Sequence, residues 1–190
     1  IVWSLLRLYV VGALIHQSLK PKEYDKSWSV SKERYGGLLG VGVVVGVISM
    51  LVSAVPYVGW VFSIIVGLMF FFAMPPVIAR KAKFDDALRE SYDIFRKKTV
   101  DVFIAWLLTS VLGGVIVIVF MIPMMATVLS VMLPTMMTMQ STGTGMEVFS
   151  ALLINGWAII PAAIVYMIGL AYVTVFSANA QTNFYLKMKK

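Results

Sequence analysis

The sequence contains no cysteine and only one histidine, His16, in 190 residues. Disulfides, zinc ribbons, iron–sulfur clusters and thiol nucleophiles are therefore excluded, and one imidazole cannot build a histidine-rich metal site. Charged residues are also scarce, at 13%, whereas hydrophobic residues make up 60% of the chain. A soluble domain has roughly 25% charged and 45–50% apolar residues. The composition therefore predicts that the protein is surrounded by a lipid bilayer.

Four long stretches carry no charged residue, and they lie at residues 36–55, 58–78, 102–122 and 157–176. A helix needs about 20 apolar residues to cross the roughly 30 Å hydrocarbon core of a bilayer, so each stretch predicts a span. The first run, residues 1–19, contains Arg7 and is either the end of a fifth span or a helix lying in the membrane interface. The predicted fold class is an all-α, polytopic transmembrane helix bundle that forms one integral membrane domain over residues 1–190.

Basic residues are confined to a few places between these stretches. Of 16 Lys and Arg residues, five lie in residues 20–34 (the first elbow), seven in residues 80–98 (the second elbow) and three at the C-terminus. Because basic residues gather on the cytoplasmic side of membranes, we predict a multi-pass protein of the cell membrane with both elbows and the C-terminus in the cytoplasm. The bases alternate with acids and lie beside lipid headgroups, which argues against nucleic acid as a partner.

The second elbow has a helical pattern of its own. Its apolar residues recur at steps of four, four and three, at Phe84, Leu88, Tyr92 and Phe95. Acids precede this pattern and bases follow it, as the helix dipole favours. We predict a helix over residues 84–97, either amphipathic and lying at the inner headgroup level or packed beneath the bundle. Tyr24-Asp25 in the first elbow echoes Phe84-Asp85, which indicates a repeat of about 60 residues.

Small residues line one of the predicted spans, and proline interrupts another. Small residues let membrane helices approach closely, and we predict a packing stripe, against another span or a partner subunit, formed by Gly36, Gly40, Gly42, Gly46, Ser49 and Ser53. The pair Pro75-Pro76 removes two backbone donors near the end of the span 58–78. This pair predicts a kink whose freed carbonyls must find other hydrogen-bond partners nearby.

The connection over residues 123–147 is expected on the outer side, in the interface or as a re-entrant segment. Eight of the 13 methionines lie between residues 121 and 146. Thioethers without cysteine or histidine select Cu(I), and the candidate ligands are Met136, Met137 and Met139. Methionine is also adaptable apolar filler, and this alternative is favoured. No other cofactor is expected.

The segment FFAMPPVIARKAKFDDALRESYDIFRKKTVDVFIAWLL resembles multi-spanning membrane proteins of archaea and bacteria. These include the membrane domain appended to some glycerophosphodiester phosphodiesterases. The shared features are an apolar helix end, basic residues, an Ala-Leu-x-x-Ser elbow (Ala87, Leu88 and Ser91), further basic residues and another span. The resemblance implies a membrane scaffold, and it carries no phosphodiesterase site to this chain.

Residues that could perform catalysis are few. The carboxylates of the second elbow lie among compensating bases, and the glycines lie in apolar spans rather than in a phosphate-binding loop. The sequence therefore indicates no enzyme. We expect a non-catalytic accessory or scaffold subunit that packs with other membrane subunits, or with copies of itself, or organises lipid. The alternative is a component of a transporter or permease.

Overall fold

The structure, a computed structural model, describes residues 2–55, 57, 59–142 and 146–189, and the side chains of these residues except 2–4, 131, 134–156 and 158. Over these ranges the chain forms eight α-helices and no strand. The helices are α1 (Val2–Leu19), α2 (Tyr24–Glu33), α3 (Tyr35–Ser53), α4 (Gly59–Met69), α5 (Met74–Arg80), α6 (Phe84–Lys97), α7 (Thr99–Thr142) and α8 (Met146–Met188). The predicted all-α fold class is confirmed.

Four helical segments of the described chain are long and apolar enough to cross a membrane, at Tyr35–Ser53, Gly59–Arg80, Thr99–Ser130 and Ile159–Met188. Each contains most of one charge-free stretch, so the four predicted spans are present as helices and the chain is a membrane protein. The apolar part of α1, Leu5–Leu19, is shorter. A fifth span over residues 1–19 therefore stays a prediction.

The last two helices extend beyond the predicted spans. α7 has 44 residues and α8 has 43, whereas a crossing needs about 20. The sequence predicts a non-spanning connection over residues 123–147. In the structure, α7 continues through Pro123 and Pro134 to Thr142, and the position of this part of α7 relative to a membrane stays a prediction. Each proline removes one helical donor, but the methionine, leucine and alanine around them are good helix formers. Residues 143–145 lie outside the described part of the chain.

The described chain divides into two compact units, and the first comprises Ile1–Ser110 and Val175–Lys190. Its core has two clusters of buried residues, one around Ile15, Leu38 and Val77 and one around Phe72 and Tyr185. The C-terminal part of α8 enters both clusters, through Ala178 and Tyr185. The part of α8 after position 176, which carries several polar residues, is therefore packed into the first unit.

The second unit, Val111–Thr174, is formed by parts of α7 and α8 that pack against each other. The rings of Phe120 and Tyr172 stack with their centroids 6.1 Å apart. A Cβ atom added at Gly169 would collide with Phe120 Cβ. A glycine is therefore required at position 169 for the two helices to approach this closely.

The first unit contains the repeat that the sequence suggests. The repeat has two copies, α1–α2–α3 and α5–α6–α7. In each copy a helix leads into a short elbow helix and then into a span-length helix. The elbow helices begin 60 residues apart, at Tyr24 and at Phe84. Their buried residues also correspond at this spacing, since α2 buries Ser27 and Ser31 and α6 buries Ala87 and Ser91.

Candidate functional site

The span Gly59–Arg80 is interrupted in its second half. α4 ends at Met69, residues 70–73 are not helical, and α5 begins at Met74 with Pro75 and Pro76 in its first turn. Proline suits this position because the first N–H groups of a helix have no helical partner. The predicted kink is therefore an interruption of four residues. The N–H groups of Phe70, Phe71 and Ala73 bond to nearby carbonyls, and the remaining backbone groups at this break need other hydrogen-bond partners.

Ser91 of α6 supplies these partners. Its hydroxyl donates to the carbonyl oxygen of Met69 at 2.8 Å and accepts from the backbone N–H of Phe72 at 3.2 Å. Ser91 and Phe72 are each 1% exposed, so the hydrogen bond between them is buried, whereas Met69 is half-buried. A buried backbone group without a partner costs about 1–3 kcal/mol. The second elbow therefore stabilises the interruption of the span with one side chain.

The first elbow has the equivalent hydrogen bond. The hydroxyl of Ser31 donates to the carbonyl oxygen of Tyr9 at 2.6 Å. In both elbows the serine reaches back over 22 residues to its acceptor. Ser31 and Ser91 are 60 residues apart along the chain, and so are their acceptors, Tyr9 and Met69. The difference between the halves is that α1 is continuous at Tyr9, whereas the second half is broken after Met69.

A charged network surrounds Glu90 on the neighbouring face of α6. Its carboxylate forms ion pairs with Arg80 and, at 3.8 Å, with Lys189. It also accepts a hydrogen bond from the Tyr185 hydroxyl at 2.9 Å. The Lys189 ammonium lies 5.7 Å from the centre of the Tyr185 ring, within range of a cation–π interaction. The network therefore joins the end of α5 and the end of α8 to the middle of α6.

These residues border a cavity of about 720 Å³ with mixed charge. Its lining includes five bases and three acids, which are Arg80, Arg89, Lys97, Lys98, Lys189, Asp86, Glu90 and Asp93. Lys98 closes one side by donating to the carbonyl oxygen of Met188 at 2.8 Å. Partial burial and the positive charge of Arg80 lower the pKa of Lys189. Together these groups can hold helix ends together and attract anions.

The glycines of the predicted packing stripe are not all in contact with other helices. A Cβ atom at Gly40 would lie 2.8 Å from Phe84 Cβ, and one at Gly42 would lie 3.0 Å from a methyl carbon of Leu8. Atoms added at Gly36 and Gly46 would meet nothing within 4 Å. Gly40 and Gly42 therefore allow α3 to approach α6 and α1, respectively, whereas the other two glycines have open space.

The two serines of that stripe lie near the end of α3. Ser53 shares a hydrogen bond with Ser63 of α4, with the hydroxyl oxygens 2.9 Å apart. Ser49 is half-buried. Ser53 therefore links α3 to the following helix, across the short turn that contains Tyr57. The stripe contributes to contacts with three different helices rather than to one continuous interface.

The second elbow packs on the bundle beside its predicted apolar face. α6 contacts α3, α4 and α5, and its buried residues are Ala87 and Ser91. Of the predicted face, Phe84 and Tyr92 are exposed and Leu88 and Phe95 are half-buried. The small side chains of Ala87 and Ser91 allow the close approach, and the larger apolar residues flank it.

The candidate copper ligands lie outside the described side chains. Met136, Met137 and Met139 belong to α7, but their side chains are among those that the structure does not describe. Their role stays a prediction of the sequence alone.

Several residues of the site were not found by sequence reasoning. Gly37 lies against Val77, and Gly12 lies against both Leu38 and Ser31. The equivalence of Ser31 and Ser91 could have been found from the sequence, because their spacing of 60 residues equals the spacing between Tyr24-Asp25 and Phe84-Asp85. The pairing of Glu90 with Tyr185 had no such signal, since 95 residues separate them.

These features define an all-α membrane protein with four helices long and apolar enough to span, and with charged elbow helices bonded into the bundle. Comparisons with protein-family models, with curated proteins and with solved structures found no match. The geometry and chemistry of the described residues are therefore the basis for a proposed function.

Proposed function

We propose that this chain is a non-catalytic accessory or scaffold subunit of a membrane assembly. The observation that carries this proposal is the way in which the elbows are attached. Ser31 and Ser91, one in each elbow, are buried and bonded to the backbone of a preceding helix, and Glu90 is bonded to three side chains of the same unit. Polar groups that form hydrogen bonds and ion pairs within the protein make it rigid, which suits a structural role. The second elbow resembles that of multi-spanning prokaryotic membrane proteins, and the scaffold role that this resemblance implies supports the same proposal.

The proposed location is the cell membrane, with both elbows and the C-terminus in the cytoplasm. The distribution of basic residues supports this orientation. The second elbow would then lie at the inner headgroup level as an amphipathic helix. The exposed rings of Phe84 and Tyr92 would contact the interface, and Arg96 and Lys97 would face anionic lipid.

The proposed contact with a partner is one face of α3. Gly46, Val43 and Met50 share this face, and Met50 is 78% exposed. A side chain at Gly46 would meet no atom within 4 Å. Such a small residue between larger apolar ones permits the close approach of another membrane helix, either from a different subunit or from a second copy of this chain.

Native mass spectrometry of the protein extracted from its membranes in mild detergent tests this role. We expect a stoichiometric complex with another subunit or a homo-oligomer, because the open glycine face has room for a partner helix. Gly46→Leu should reduce the complex several-fold, whereas Gly114→Leu should not, although Gly114 is equally free of close neighbours. A lone monomer that is thermally stabilised by a small substrate would contradict the proposal.

A second candidate is a transporter or permease component, and the break between α4 and α5 favours it. Interrupted helices form ion and substrate sites in many transporters, because their free backbone groups coordinate the ligand. Here the carbonyl of Met69 and the N–H of Phe72 are both bonded to Ser91. A transport cycle would therefore need α6 to move. Substrate uptake by vesicles reconstituted with the parent protein, and not by vesicles without it, would favour this candidate over the scaffold.

A further inference from the structure

A second cavity lies where the two elbows meet. It has a volume of about 350 Å³ and is bordered by residues 33, 34, 36 and 37, where α2 leads into α3, and by residues 81–84, where α5 leads into α6. We call it the junction cavity. Glu33, Arg34, Lys81 and Lys83 are the charged residues of its lining. The cavity is therefore bordered by three bases and one acid.

The single acid does not neutralise all three bases. Glu33 is paired with Lys81, whose ammonium lies 3.3 Å from its carboxylate. Among the described residues, no carboxylate lies within ion-pair distance of Arg34 or Lys83. Two positive charges at the junction cavity therefore have no counter-charge from this part of the chain.

The side chain of Arg34 also carries a hydrogen-bond donor without an acceptor. Its Nε atom is buried and has no hydrogen-bond partner among the described residues. Burying a donor of a charged group without an acceptor is costly, and guanidinium groups bind the oxygens of carboxylates and phosphates with paired hydrogen bonds. The geometry therefore favours an anion beside Arg34.

The walls of the junction cavity narrow the choice of anion. Val77 and Phe84 make one side apolar, and the cavity lies beside the first turn of one span-length helix and the last turn of another. Gly36 borders the cavity and leaves open space where a side chain would be. At this height in a bilayer the abundant anion is the phosphate of a phospholipid, and basic pockets between spans bind such headgroups.

We propose that the junction cavity binds a phosphate group, with the Arg34 guanidinium as hydrogen-bond donor and Lys83 as the second positive charge. The phosphate belongs either to the headgroup of an anionic phospholipid or to a soluble phosphate ester. The site does not depend on the proposed subunit role, since a monomer and an oligomer would both contain the cavity.

The sharpest test places a carboxylate inside the cavity. Gly36→Asp has room for its side chain and lies in the first turn of α3, where an acid is favourable, so the fold should be kept. The new carboxylate competes with phosphate for Arg34. Binding of phosphatidylglycerol, measured by native mass spectrometry with phosphatidylcholine for comparison, should weaken about tenfold or more, as expected for the loss of a charge-assisted hydrogen bond.

Further variants separate this site from general attraction to a basic surface. Lys83→Gln and Arg34→Gln should each weaken binding about tenfold, and Gly36→Ala should leave binding unchanged. Lys22→Gln removes the same charge from an exposed position in the first elbow, outside the cavity, and should have less than a twofold effect. Equal binding by Gly36→Asp and the parent protein would overturn the proposal, and so would equal losses in Lys22→Gln and Lys83→Gln.

A third set of titrations identifies the source of the phosphate. Inorganic phosphate and glycerol 3-phosphate are titrated by calorimetry into the same variants. Binding of the lipid alone, with the dependence on Gly36 and Lys83 described above, assigns a headgroup site. Binding of the soluble esters with that dependence assigns a soluble ligand. If neither binds in a way that these variants change, the cavity is not a phosphate site.

Discussion

Replacing Ser91 with alanine should lower the free energy of unfolding by about 2–4 kcal/mol, because two backbone groups at the break lose the side-chain hydrogen-bond partner that the described residues provide. These groups are the Met69 carbonyl and the Phe72 N–H at the break between α4 and α5. Water cannot replace the hydroxyl on the side of Phe72, which is 1% exposed, and the Met69 carbonyl loses a bond of 2.8 Å. Unfolding by a graded denaturing detergent in mixed micelles measures the change.

Two other serines provide matched controls for this prediction. Ser31→Ala should cost only about 0.5–1.5 kcal/mol, because its acceptor, the Tyr9 carbonyl, lies inside a continuous helix and has a helical donor as well. Ser29→Ala should be nearly neutral, since the hydroxyl of Ser29 is exposed and bonds only within its own helix. Equal stability changes for Ser91→Ala and Ser29→Ala would show that Ser91 does not stabilise the break.

Replacing Gly40 with alanine should destabilise the protein by about 1–3 kcal/mol, the usual cost of overpacking a close contact. The new methyl group would lie 2.8 Å from Phe84 Cβ, and this atom cannot move without moving the backbone of α6. Gly46→Ala, in the same helix, should be neutral or stabilise by up to about 1 kcal/mol, because the methyl group meets nothing and alanine favours helix.

The comparison of these two glycines tests the arrangement of α3 directly. Both belong to the stripe predicted from the sequence, yet only Gly40 faces another described element closely. The same detergent titration applies, with circular dichroism to confirm that both variants keep their helix content. If Gly46→Ala destabilises the purified monomer more than Gly40→Ala does, α3 is rotated relative to the structure described above.

The membrane-spanning architecture was predictable because its cause is local. A run of 20 residues without charge must be helical in lipid, where each backbone group needs an internal partner. The helix α6, over residues 84–97, follows equally from local spacing and charge, as the structure shows. These features need no knowledge of which helices are neighbours.

The ends of the last two helices could not be predicted in the same way. Pro123 and the polar residues after Phe176 are ordinary signals for the end of a span, yet α7 and α8 continue through them. In α8 the reason is tertiary, because Ala178 and Tyr185 are buried in the core of the first unit. Local signals at a helix end are overridden when packing buries the residues beyond it.

The candidate site was only partly predictable. The sequence indicated the second elbow and the proline pair, and it predicted that backbone groups near the prolines require other hydrogen-bond partners. It did not show that Ser91 is this partner. Nor did it show that Glu90 pairs with Tyr185 on another helix. Both contacts depend on helices brought together by the fold, and only the repeat of 60 residues offered a hint of one of them.

If the four helices cross a bilayer as proposed, the elbows and the turn between α3 and α4 lie on opposite sides of it. Since the chain has no cysteine, single replacements such as Lys97→Cys and Tyr57→Cys give unambiguous labelling sites, and both positions are exposed. In sealed right-side-out vesicles an impermeant maleimide should label Tyr57→Cys at once and Lys97→Cys only after permeabilisation. Labelling of both variants in intact vesicles would contradict the account.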